Sequence, residues 1–139
     1  MIVLDTNVIS ELLRPASSPA VRDWLDAQLI ETLHLSAITV AELRVGMAIM
    51  PAGKRRSVLQ ARLESEVIPA FRNRILPFDV ETTRVYADLM ARARQHGKAI
   101  GKEDGYIAAS ALQHGCMVAT RDESPFRSAG VEVINPWLA

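Results

Sequence analysis

The chain has 139 residues, 49% of them apolar, with 16 basic and 16 acidic side chains and no net charge. That length suits one domain with a core of its own, expected over residues 1–139. No stretch approaches the ~20 uninterrupted apolar residues of a membrane helix, nothing at the start has the pattern of a signal peptide, and a lone cysteine, Cys116, excludes a disulfide framework or a cysteine-based zinc site. A soluble cytoplasmic protein is the expectation.

In chain order, Ile2-Val3-Leu4 is an apolar run without alternation, as in a strand buried on both faces of a parallel sheet. It stops at Asp5. Thr6 and Asn7 can cap the periodic segment Val8, Ile9, Leu12, Leu13. A loop rich in Pro and Ser follows, and Pro19 suits the first turn of a helix with Val21, Trp24, Leu25 and Leu29 inward. A second short strand is expected at residues 32–35, ending in Ser36, and then a helix from Thr39 that Pro51-Ala52-Gly53 ends. Lys54-Arg55-Arg56 opens another helix with Val58, Leu59, Leu63, Val67 and Ile68 on one side. A third strand at residues 74–78 contains Pro77, which points to an edge. A long helix then spans Val80 to Gln95, and Gly97 stops it. Lys102-Glu103-Asp104 leads an apolar helix closed by Gly115. Strands at residues 116–120 and 131–134 complete the chain. Strands alternating with helices argue for an α/β fold with a parallel sheet between helical layers.

Four acids share one positional logic. Asp5 follows the first strand, Glu42 is expected in the first turn of the helix after the second, Asp104 opens the helix before the fourth, and Asp122 lies two residues beyond that strand. If the first and fourth strands are neighbours where the chain reverses direction across the sheet, Asp5 and Asp122 flank a crevice at the carboxyl ends of the strands. Carboxylates gathered there stay ionised only with a cation among them. All-oxygen donors suit Mg²⁺ or Mn²⁺, whose open positions and water serve phosphodiester hydrolysis. Sequestering four acids around such an ion would leave the rest of the surface with an excess of four positive charges. Each acid also has an ordinary explanation: Asp5 as a helix cap, Thr39-x-x-Glu42 as a capping box, Glu103 and Asp104 as complements to a helix dipole, and Asp122 as a turn residue.

Ile2-Val3-Leu4-Asp5-Thr6-Asn7, Ser36 to Leu43, Asp104-Gly105-Tyr106-Ile107-Ala108-Ala109 and Ala119-Thr120-Arg121-Asp122 resemble the four motifs of PIN-domain ribonucleases. The chain is most similar to the VapC toxins of bacterial toxin–antitoxin pairs, in their FitB-like branch, down to a terminal Asn135-Pro136-Trp137. The resemblance runs the length of the chain. It implies a five-stranded parallel sheet of order 3-2-1-4-5, a homodimer, and cleavage of RNA, tRNA above all, with Mg²⁺ or Mn²⁺. It assigns the acidic positions to Asp5, Glu42, Asp104 and Asp122 and a supporting hydroxyl to Thr120. Asp5, Asp104 and Asp122 would make most of the metal contacts, Glu42 would bind through water or orient the attacking one, and Thr6, Asn7 and Thr120 would fix the carboxylates.

Phosphates outside the pocket need cations, for which Arg121, Lys98 and Lys102 are best placed in the sequence and Lys54-Arg55-Arg56 is a second set. His34, His96 and His114 suit strand and helix-end positions better than catalysis. The resemblance implies a small DNA-binding antitoxin that blocks the acids, so that operator DNA is reached only through it. Apolar residues on both sides of Pro51-Ala52-Gly53 could seat a helix of that partner. A receiver-like phosphoacceptor would need an acidic pair after the first strand and a lysine after the last. The sequence has Thr6-Asn7 and Asn135-Pro136 there. The non-catalytic alternative is a PIN-like module that binds RNA or protein, which would be expected to have lost an acid.

Overall fold

The computed structural model describes all 139 residues. Its five strands are β1 (Ile2–Leu4), β2 (Leu33–Ser36), β3 (Ile75–Leu76), β4 (Met117–Ala119) and β5 (Val133–Ile134). They form one sheet in the order β3-β2-β1-β4-β5, and every pairing is parallel. The helices are α1 (Thr6–Leu13), α2 (Pro19–Asp26), α3 (Ala37–Ala48), α4 (Lys54–Arg62), α5 (Ile68–Ala70), α6 (Val80–Gln95), α7 (Lys102–Gln113) and α8 (Glu123–Ser128). None is long and apolar enough to cross a membrane.

Strand alternation divides the core into two layers. Ile2 and Leu4 of β1 point into a cluster with Leu33, Leu35, Val40 and Leu43. Val3 points the other way, into a cluster with Val118, Ile107, Leu89 and Phe126. The central strand is therefore buried on both faces, and its carboxyl end is also the place where the chain turns outward to either side. β1 pairs with β2 on one flank and β4 on the other. The crevice between their continuations opens beside Asp5.

Several helix boundaries differ from what the sequence suggests. Asp5 itself caps α1, accepting the Thr6 amide at 2.8 Å, so Thr6 and Asn7 are already helical. Ser36 caps α3 by accepting the Ile38 amide, which starts that helix at Ala37 rather than Thr39. Glu42 consequently lies in the second turn, not the first. Leu29 falls beyond α2 and is 71% exposed. The helix expected after Lys54 widens to π-type bonding over Leu63–Val67 before α5. Pro69 explains this, since it has no N–H to donate and its ring crowds the carbonyl four residues back. By contrast α6 runs over Val80–Gln95, with His96 as its cap and Gly97 at φ 68°. β3 lies at the edge of the sheet.

Candidate functional site

The pocket at the carboxyl end of β1 is about 420 Å³ and has one hydrophobic residue, Trp137, among ten in its lining. Asp5, Glu42 and Asp104 line it, arriving from the β1–α1 junction, α3 and α7. Asp5 is 5% exposed. Thr120, at the end of β4, donates its hydroxyl to Asp5 Oδ2 at 2.8 Å. The Asn7 amide reaches the same oxygen at 3.3 Å and Thr120 Oγ1 at 3.2 Å. Its carbonyl accepts the Arg121 backbone N–H at 3.3 Å. This carboxylate is thus held by a hydroxyl 115 positions away in sequence.

Glu42 is held differently. Thr6 donates its hydroxyl to Glu42 Oε1 at 2.6 Å, with the buried Thr39 hydroxyl 3.1 Å from that of Thr6. With Ser36 as the cap and Thr6 as the partner of Glu42, Thr39 and Glu42 form no capping box. Asp122 is the cap residue of α8 but makes no capping bond with its side chain. Its amide N–H donates to Thr120 Oγ1 at 3.0 Å. Its carboxylate is exposed and outside the pocket lining, yet its charge reaches Asp104.

The electrostatics follow from this crowding. Burial pushes the Asp5 carboxyl up to about 6, and the charges of Asp104 and Glu42 add to the rise against the hydrogen bonds from Thr120 and Thr6. Asp104 is raised too, first by burial and then by Asp122, Glu42 and Glu103, with no hydrogen bond to offset them. Glu103 therefore acts on the pocket through its charge, from an exposed position. No three acids stand close enough to chelate an ion as they are. The donor set nevertheless suits a hard divalent cation: oxygen atoms only, mutually repelling, around a polar opening.

Of the cations singled out in the sequence, Arg121 lines the pocket. Lys98 lines a separate hollow of about 340 Å³ with Arg92, His96 and Arg127. Lys102 is exposed at the first position of α7 and lines neither. Lys54 and Arg55 line the apolar cavity described below. His96 and His114 cap α6 and α7, each with Nδ1 against the carbonyl four residues back, and His34 is buried within β2. Burial in an apolar layer raises the Cys116 thiol. Four residues of the pocket were not assigned to it from sequence: Ser10, Glu11, Arg14 and Trp137. Glu11 sits three residues before Arg14 on α1, and only that spacing signalled a pair.

The model of the PIN domain matches residues 2–132. The chain belongs to the PIN-domain family. This PIN domain is 66% identical to the VapC ribonuclease Y4jK of Sinorhizobium fredii over 137 residues, 99% of this chain and 98% of that protein. It is 53% identical to the toxin FitB of Neisseria gonorrhoeae, again over 137 residues and 99% of each chain. Among solved structures, FitAB bound to an IR36 DNA fragment superimposes with a TM-score of 0.95 at 52% identity, covering 99% of this chain and 96% of that one.

The pocket adjoins a second cavity of about 680 Å³ between α1, α3 and α4. The two share Thr6, Ser10, Arg14 and Glu42. The second is floored by Leu13, Leu43, Met47, Val58 and Leu59 and edged by Lys54, Arg55 and Arg62. Of the apolar residues expected near a partner, Met47 and Leu63 are core, while Val45 and Ile49 are exposed on α3 and at its end.

Proposed function

We propose that this chain, acting as one domain over residues 1–139, is the toxin of a type II toxin–antitoxin pair and a divalent-metal-dependent endoribonuclease. The observation that carries the reading is the burial of Asp5 in a polar pocket with Glu42 and Asp104, where the like charges call for a cation. The resemblance of the chain to a VapC ribonuclease along its whole length supports the same chemistry. Asp5, Asp104 and Asp122 would hold Mg²⁺ or Mn²⁺, Asp122 by a rotation of its exposed side chain. Such an ion lowers the pKa of its water and neutralises charge on a phosphodiester. Thr120 and Asn7 keep Asp5 oriented. Thr6 holds Glu42 where it can orient the attacking water. No histidine lines the pocket to compete as a base.

The substrate is RNA, with tRNA favoured by the family resemblance. Arg121 at the pocket, and Lys98 and Lys102 farther out, supply phosphate contacts. The partner is a small DNA-binding antitoxin that carries the complex to operator DNA, a role the FitAB complex with DNA makes reasonable. Its inhibitory segment fits the apolar cavity as a helix with an apolar stripe and an acidic flank, because basic side chains edge that cavity. The exposed Val45 and Ile49 offer contact area for a homodimer in the cytoplasm.

Cleavage of total cellular RNA by the purified protein, with Mg²⁺ or Mn²⁺ and with chelator, tests the reading. Discrete products that need the metal and vanish in Asp5→Asn are expected. Equal background from both proteins would refute catalysis and favour the binding-only alternative.

A further inference from the structure

A pocket lined by Asp5, Glu11, Glu42 and Asp104 repels the phosphates that flank a scissile bond, so the two cations in its wall carry more than ordinary weight. These are Arg14 and Arg121, and each is backed by a separate device. Glu11 is 8% exposed, and its Oε2 has no hydrogen-bond partner. That oxygen faces Arg14 Nη1 at 3.7 Å. A buried carboxylate beside others of its own sign is costly. Its one ion-pair partner is the Arg14 guanidinium, which lines the same pocket. Arg14 is otherwise largely exposed and follows the last turn of α1, where the sequence supplies no other acid to hold it.

Arg121 is fixed from both ends. Its amide donates to Asn7 Oδ1, and its guanidinium lies 5.3 Å above the centre of the Trp137 ring. Trp137 is in turn anchored. Its backbone N–H donates to Asn135 Oδ1 at 3.0 Å, the Asn135 side-chain amide donates to Glu123 Oε2 at 3.0 Å, and Glu123 accepts from Arg127 at 2.7 Å. Stacking on an aromatic face leaves the edge of a guanidinium free to donate to phosphate.

We propose that Arg14, held by Glu11, and Arg121, held by Trp137, form a two-arginine clamp for the phosphates of single-stranded RNA on either side of the acidic pocket. The clamp rests on the ribonuclease reading for its substrate. It adds a division of labour, in which the carboxylates serve the bond that is cut and the arginines hold the strand in register. The backbone of an unpaired segment can follow two cations in one pocket wall, whereas a duplex holds its phosphates in A-form geometry, so single-stranded RNA is the substrate form proposed.

The test is binding of a short fluorescent single-stranded RNA of mixed sequence to the Asp5→Asn protein in Mg²⁺, followed by anisotropy across a KCl series. Arg14→Ala and Arg121→Ala should each weaken binding about fivefold to tenfold and flatten the slope of log K against log salt by about 0.7, with the double variant losing both. Trp137→Leu should weaken binding with the slope unchanged, because the charge remains and only its aim is lost, and Trp137→Phe should restore most of it. Circular dichroism checks folding, and Arg14→Gln and Arg121→Gln stand in should an alanine variant fail to fold. Unaltered slopes in both arginine variants, or no binding by the Asp5→Asn protein, would overturn the clamp. Wild-type cleavage run alongside separates the two ideas. Cleavage with unaltered slopes removes the clamp alone, whereas flattened slopes without any cleavage keep the clamp and remove the nuclease.

Discussion

The acidic pocket and the apolar cavity share a wall of Thr6, Ser10, Arg14 and Glu42, yet they are built on opposite principles. The pocket hangs from strand ends, and its side chains are tied by hydrogen bonds between β1, α1 and β4. The cavity lies between helices and is bounded by side chains that simply do not fill the space between α1, α3 and α4. Precision of placement is needed where a bond is broken, whereas a partner helix needs mainly area and shape. Glu42 belongs to both, so the proposed partner segment in the cavity would lie beside one of the acids.

The sharpest way to break this contrast is Asp5→Asn. Cleavage should fall by about a thousandfold or more, which corresponds to roughly 4 kcal/mol of transition-state stabilisation. The melting temperature at neutral pH should not fall, since the change removes a repelled charge at constant volume. Initial rates and thermal melts check both halves. Thr120→Val comes next. It removes the hydroxyl that donates to Asp5 and should cost about 10–100-fold in metal affinity or rate, as loss of an orienting partner does. Metal titration of the rate separates those two effects.

The pH dependence of the metal-free protein probes the strain directly. The Asp5 carboxyl is raised from 3.8 to about 6 in the folded chain, so the fold binds that proton more tightly than the unfolded chain does. The associated stability is fully present below about pH 4 and is lost as the pH rises through about 6. The stability of the wild type relative to Asp5→Asn, in chelator, should therefore drop between those limits by on the order of 2–3 kcal/mol. Denaturant melts at several pH values measure it, and a flat difference would mean that the pocket does not strain Asp5. Glu42 and Asp104 face the same pocket, and Mg²⁺ or Mn²⁺ should reverse the loss at neutral pH. The smallest effect is expected on the cavity side. Val58→Glu puts a charge on its floor and should weaken capture of the co-expressed antitoxin about tenfold, or roughly 1.4 kcal/mol, by titration calorimetry.

Where sequence and structure part company, the cause is a competing local choice. Ser36 and Thr39 are both good caps, and only the course of β2 selects Ser36, which moves Glu42 by nearly a turn. Asp5 fits both the capping and the site explanation, because one oxygen accepts the Thr6 amide while the other faces Thr120 and Asn7. The apolar period continues through Leu63 and Val67, and Pro69 bends the hydrogen bonding without interrupting the pattern. Val58 is exposed although the helical period counts it inward, since the cavity takes the place of the neighbour it would have packed against.

By itself the sequence determined the alternation of strands and helices, the span of α6 and the buried central strand, because each is written in a period only a few residues long; it also marked four acids, of which the structure brings Asp5, Glu42 and Asp104 into one pocket and leaves Asp122 outside its lining. The sheet order came into view through the family resemblance and is what the structure contains. Thr6, Asn7 and Thr120 were expected to fix the carboxylates, but only the tertiary structure decided that Thr6 takes Glu42 while Thr120 and Asn7 take Asp5, and that Arg14 and Arg121 face one pocket. The same holds for the burial of Glu11 and the stacking of Trp137. These are contacts between side chains up to 115 positions apart. No local period encodes them, since they exist only once strand pairing has brought the chain's two ends to the same edge of the crevice.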